Sequence, residues 1–69
     1  MSPSWWTRPL TLGDQGEDVR AVQLLLRVEP TGVFDEATRA KVRGYQTLRQ
    51  LGRTGRVDET TAIYLGELR

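Results

Sequence analysis

The chain has 69 residues with no cysteine and no histidine, and its ten basic against nine acidic side chains leave a formal charge of +1. No disulfide can staple it, and the commonest metal ligand and the commonest neutral-pH general base are both missing. A chain this short makes one domain whose stability must come from helix packing, caps and tight turns, and its near-neutral balance selects no partner.

Residues 1–9 contain Ser2-Pro3 and Thr7-Arg8-Pro9, and the residue before each proline is pushed away from helix. They read as an extended N-terminal arm, with residues 10–69 forming the domain. Gly13 and Gly16 mark the first turn. A helix is expected from Glu17 to about Val28, with Glu17 and Asp18 in the first turn, where the dipole favours them. Val19, Val22 and Leu26 form its apolar face, Leu25 widens it, Leu24 lies on its border, and Glu29-Pro30 stops the helix.

The second turn, at Gly32, leads to Asp35, an N-cap placed for the amide of Thr38. Its helix runs from Glu36 to near Leu48, turns Thr38, Val42 and Tyr45 inward, and has Gly52 as the expected left-handed residue after its end. The third turn repeats the second: Gly55, then Asp58 as cap. The last helix is expected from Glu59 to Leu68, with Thr61, Leu65 and Leu68 facing the core and Ala62 allowing close approach.

A shift of 23 residues takes Gly32 to Gly55, Asp35 to Asp58, Thr38 to Thr61 and Val42 to Leu65, and also Val19 to Val42, Val22 to Tyr45 and Gln23 to Gln46. A period of this length implies one supersecondary unit used repeatedly, here a turn, a capped start and a short helix. No single such helix buries its own stripe, so the expected architecture is all-α, a compact three-helix bundle. Phe34 and Val57, just before the caps, suit the role of staples. Gln23 and Gln46 follow core positions, where their amides would satisfy loop backbone; contact with a sugar amide or stem peptide is the other reading. Trp5 and Trp6 either pack onto the helices or stack on sugar rings.

Three blocks in order carry a family likeness. The first is Gly13-x-x-Gly16-x-Asp18-Val19-x-x-Val22-Gln23-x-x-Leu26. The second is Gly32-Val33-Phe34-Asp35-x-x-Thr38-x-x-Lys41-Val42-x-x-Tyr45-Gln46, and the third is Gly55-Arg56-Val57-Asp58-x-x-Thr61-x-x-x-Leu65. Together, over about residues 10–68, they resemble the peptidoglycan-binding domain appended to amidases, muramidases and related wall enzymes. Asp35 and Asp58 stand where that family has glycine, Thr31 where it has aspartate and Lys41 where it has alanine, and the connection from Leu26 to Gly32 is shorter. The resemblance implies a non-catalytic binder of peptidoglycan, with Trp5, Trp6, Gln23, Tyr45, Gln46 and Arg49 as candidate ligand residues. Gly13, Gly16, Gly32, Asp35, Gly55 and Asp58 are then structural caps and turns.

The carboxylates at Asp35-Glu36 and Asp58-Glu59 are explained by helix starts, and no Ser–His, Cys–His or metal-ligand set exists, so neither enzyme activity nor a cofactor is expected. No segment approaches the ~20 apolar residues of a membrane span. The start lacks a cationic stretch followed by an apolar run and so reads as no signal peptide. Synthesis in the cytoplasm is expected, with release by lysis or carriage on a virion. The alternative function is therefore a phage virion structural or decoration protein, with the Trp-containing arm as anchor to a protein partner. Six cations (Arg39, Lys41, Arg43, Arg49, Arg53 and Arg56) lie between Ala37 and Val57 with no carboxylate among them. They read as a solvated face or as a weak anion-binding surface for teichoic acid, muropeptide carboxylates or nucleic acid; without a net basic excess, nucleic acid is not the expected partner.

Overall fold

Asp35 and Asp58 begin their helices as the sequence implies: each carboxylate accepts from the backbone N–H three residues on, Thr38 and Thr61, at 2.9 Å. In the computed structural model, which describes residues 2–68, these open α2 (Glu36–Leu48) and α3 (Glu59–Gly66), preceded by α1 (Glu17–Leu26). Met1 and Arg69, the ends of the expected arm and domain, lie outside the described residues. α1 has no side-chain cap; Gly16 stands at its N-cap, and Glu17 and Asp18 supply the charge that its first turn favours.

The helix ends depart from expectation. α1 stops at Leu26, before Val28, because Arg27 turns left-handed at φ 62 and the Val28 N–H donates back to Gln23 O at 3.0 Å. α2 stops at Leu48 as expected, but the left-handed residue after it is Gln50 at φ 61, not Gly52, and the Leu51 N–H donates to Gln46 O at 2.7 Å. Both are the same helix closure, in which the carbonyls of the last turn find donors from a chain folding back, with a half-buried Val28 or Leu51 following. Pro30 and Gly52 lie beyond stops already made. α3 ends at Gly66, short of Leu68, yet Leu68 still packs on the core.

The core differs from a plain bundle. Val19, Val22, Val42, Tyr45, Ala62 and Leu65 are buried from the helices, but Leu10, Phe34 and Val57 come from the segments between and before them. Direct helix–helix approach is chiefly between α1 and α2. Helices of 8 to 13 residues carry too little stripe to close a core alone, so loop residues plug it. Residues 10–16 stitch those loops together. Leu10 exchanges both backbone bonds with Val57, at 3.1 and 2.8 Å; Phe34 bonds Gly13 and Asp14, at 2.9 and 2.8 Å; and Gly16 donates to Gly32 O at 3.0 Å.

The turns are held by two buried glutamines with matching contacts. Gln23 Nε2 donates to Val33 O at 2.9 Å, Thr38 Oγ1 at 2.9 Å and Thr31 Oγ1 at 3.2 Å, while its Oε1 accepts from the Gly32 N–H at 2.8 Å. Gln46 Nε2 donates to Arg56 O at 2.9 Å, Thr61 Oγ1 at 3.0 Å and Thr54 Oγ1 at 3.3 Å, and its Oε1 accepts from the Gly55 N–H at 3.0 Å. Each amide thus binds the turn and the first helical turn that follow it. The glycines it holds have φ of 82 and 77, a region that other residues adopt only with strain.

These roles rank two substitutions. Asp58→Ala removes one exposed-side cap and should lower stability by about 1 kcal/mol. Gln46→Leu strands the Gly55 N–H and Arg56 carbonyl and should cost about 2 kcal/mol or more. Urea unfolding followed by circular dichroism measures both; a smaller loss for Gln46→Leu than for Asp58→Ala would refute the brace.

Candidate functional site

The spacing of Lys41, Gly44, Tyr45 and Leu48 is i, i+3, i+4, i+7, which puts all four on one strip of α2. With Leu26 from the end of α1 they line an open hollow of about 250 Å³. The absent side chain of Gly44 makes the floor: a methyl built there meets nothing within 4 Å. Leu48, 77% exposed, and Leu26 give apolar walls, and Lys41 adds an ammonium at the rim. The volume lies just below the ~300–1,000 Å³ of sites that enclose a whole small molecule, so the hollow suits one substituent of a larger ligand.

Tyr45 forms the inner wall. It is 9% exposed, and its hydroxyl has no hydrogen-bond partner among the described residues. Burial holds that hydroxyl's pKa above the ordinary tyrosine value, with the Arg49 charge pulling the other way. One turn on, the Arg49 guanidinium lies 4.9 Å from the centre of the Tyr64 ring, within cation–π range. Of the candidate ligand residues, Tyr45 lines the hollow, while Arg49, one turn on, is engaged with Tyr64 and is not among the lining residues.

The other candidates are placed elsewhere. Gln23 and Gln46 are 1% and 0% exposed, and both ends of each amide are occupied within the fold. They shape turns and offer a ligand nothing, which corrects their place in the candidate set. Trp5 and Trp6 are half-buried against the core, and Trp6 Nε1 donates to Val57 O at 3.2 Å. The arm is thus docked on its own domain. Arg8 ties it down, with Nε and Nη2 donating to the two Asp18 oxygens at 2.9 and 3.3 Å and Nη2 also donating to Gln15 O at 2.8 Å. Sequence reasoning passed over Leu26, Lys41, Gly44 and Leu48 as lining residues, though for the last three the α2 spacing carried the signal. The Arg8–Asp18 pair had no local signal, because docking alone brings the two together.

The peptidoglycan binding domain family matches residues 15–65. This chain belongs to that family. Among solved structures, the family member superposes with a TM-score of 0.86 on a fused Zn-dependent amidase/peptidase/peptidoglycan-binding domain-containing protein from Clostridium acetobutylicum, at 25% identity over 93% of this chain and 31% of that one. The chain therefore spans about a third of that neighbour's length. No curated protein matches it.

The arm clamp has a pH signature. The Arg8 hydrogen bond holds the Asp18 carboxyl below its ordinary value of 3.8. A depressed carboxylate contributes stability that is complete above the unfolded-state value and fades as pH falls through the folded one. Thermal stability should therefore drop as pH is lowered below about 4, and Asp18→Asn should reduce that drop while weakening the clamp at neutral pH. Melting temperatures of both proteins between pH 7 and 2.5 provide the check; an equally steep acid loss in the variant would rule the clamp out as a contributor.

Proposed function

We propose that this domain is a non-catalytic module that holds peptidoglycan through the hollow on α2. Family membership supports the ligand class, and the observation that carries the site is the open hollow itself, with exposed Leu48, Leu26 and the Lys41 ammonium set around the bare backbone of Gly44. Leu26 and Leu48 would contact an aliphatic portion such as an alanine methyl or an acetamido group, and the Lys41 ammonium would pair with a stem-peptide carboxylate. One substituent fits, so affinity per site is modest. Catalysis then falls to a separate domain; the name of the Clostridium neighbour puts amidase, peptidase and binding domain in one protein. Virion assembly through the tryptophan arm gains no support, since both rings are engaged with the domain's own core.

Gly44→Phe tests the site. A side chain at Gly44 has open space in front of it, so it should fill the hollow without unfolding the helix, and replacing a mid-helix glycine is mildly stabilising. Co-sedimentation with purified peptidoglycan should weaken by about tenfold or more, with an unchanged helical circular dichroism spectrum. Parental retention by a folded Gly44→Phe would refute the assignment.

A further inference from the structure

We propose that the arginines gathered around Gly55 form a second binding surface, separate from the hollow, for the phosphodiester chain of an anionic wall polymer. Arg39 and Arg43 are one turn apart on α2, and Arg53 and Arg56 flank Gly55 in the α2–α3 connection. Packing brings the helix pair onto the connection. A Cβ built on Gly55 would lie 3.0 Å from Arg39 Cγ and 3.1 Å from Arg43 Cγ, so both aliphatic stems cross the glycine. Gly55 is thus fixed by two demands, its left-handed φ of +77 and the stems that a side chain would displace.

The connection that carries Arg53 and Arg56 is rigid. Gln46 holds the Gly55 N–H and the Arg56 carbonyl, and Thr54 Oγ1 accepts from the Arg56 N–H at 3.1 Å. Charges displayed from a fixed backbone lose little freedom on binding. Internal neutralisation is slight. Among the described residues one ion pair reaches the patch, Arg39 to Glu36 at 3.4 Å, with the Glu36 side chain 71% exposed, and such pairs are weak. Arg43 Nε is buried and donates to nothing among the described residues, while the Asp58 carboxylate next to the patch caps Thr61.

Guanidinium forks favour phosphate oxygens, and side chains one turn apart on a helix are ~5–6 Å apart at Cβ, close enough to act together on a flexible chain. A duplex nucleic acid fits less well, because a net charge of +1 leaves no basic footprint beyond this end of the molecule. The anion chemistry follows from the patch itself; the choice of a wall polymer as its source rests on the wall-binding reading above.

The experiment is co-sedimentation of the full chain with Gram-positive sacculi, either untreated or extracted with hydrofluoric acid, which cleaves phosphodiesters and leaves the peptidoglycan. The parent should bind untreated sacculi several-fold more tightly than extracted ones, and only the excess should fade with salt. Arg53→Gln/Arg56→Gln, which spares the packed stems, should abolish that excess and leave binding to extracted sacculi unchanged; Arg43→Gln/Arg56→Gln should do the same while retaining its helical spectrum. Arg53→Lys/Arg56→Lys should restore part of it. Equal parental binding to both wall preparations, loss-free binding by the glutamine variants, or binding of duplex DNA as tight as that of untreated wall would each overturn the proposal. If Gly44→Phe binds like the parent while the arginine variants lose the phosphate-dependent excess, the hollow fails and the patch stands.

Discussion

One buried primary amide, used twice, organises this domain. A glutamine amide has two donors and one acceptor oxygen, and burying it unpaired would cost more than the small core could offset. Here Gln23 and Gln46 are saturated by backbone and threonine groups of the turn and helix start that follow. The threonine hydroxyls sit at the starts of α2 and α3, beside the aspartate caps, so each amide connects the end of one helix to the start of the next through the intervening turn. The connection explains how a chain of 69 residues without disulfides keeps two tight turns in register.

With the turns fixed, Phe34 and Val57 are delivered into the core from irregular backbone, and the Leu10–Gly16 segment can hydrogen-bond to both. Val57 is the busiest point: its backbone pairs with Leu10, and its carbonyl also accepts from Trp6. The arm thereby becomes part of the packing. Its contacts with Val57, Asp18 and the core bring the whole described chain to a radius of gyration of 10.3 Å, against about 11 Å expected for a globule of this length.

The parts of this fold that the sequence discloses are those fixed by a single side chain acting on nearby backbone. Asp35, Asp58 and the turn glycines are of this kind, and the repeat made them more legible by stating the rule twice. The helix stops were hidden because Arg27 and Gln50 adopt a conformation that glycine usually marks; only their spacing of 23, the same as the rest of the repeat, gives them away. Of the candidate site, Tyr45 alone was legible as a ligand residue. The hollow itself depends on what Gly44 lacks and on where Leu26 comes to rest, and the Arg8–Asp18 pair depends on docking of the arm. These are tertiary outcomes with no local pattern to announce them.

Comparison of the repeat's own halves separates scaffold from surface. The turn at Gly32 and the turn at Gly55 share backbone conformation, glutamine brace and threonine partners. At the positions equivalent to Arg53 and Arg56, however, the first turn carries Pro30 and Val33, and the position equivalent to Arg49 is Leu26. Likewise Lys41 in the hollow corresponds to Asp18 in α1, which is taken up by the arm, and to Tyr64 in α3, which receives Arg49. The same local fold thus presents apolar groups at one turn and guanidinium groups at the other. Residues that obey the period hold the structure, while those that break it, Leu26 and Lys41 in the hollow and Arg39, Arg53 and Arg56 in the patch, distinguish one face from another.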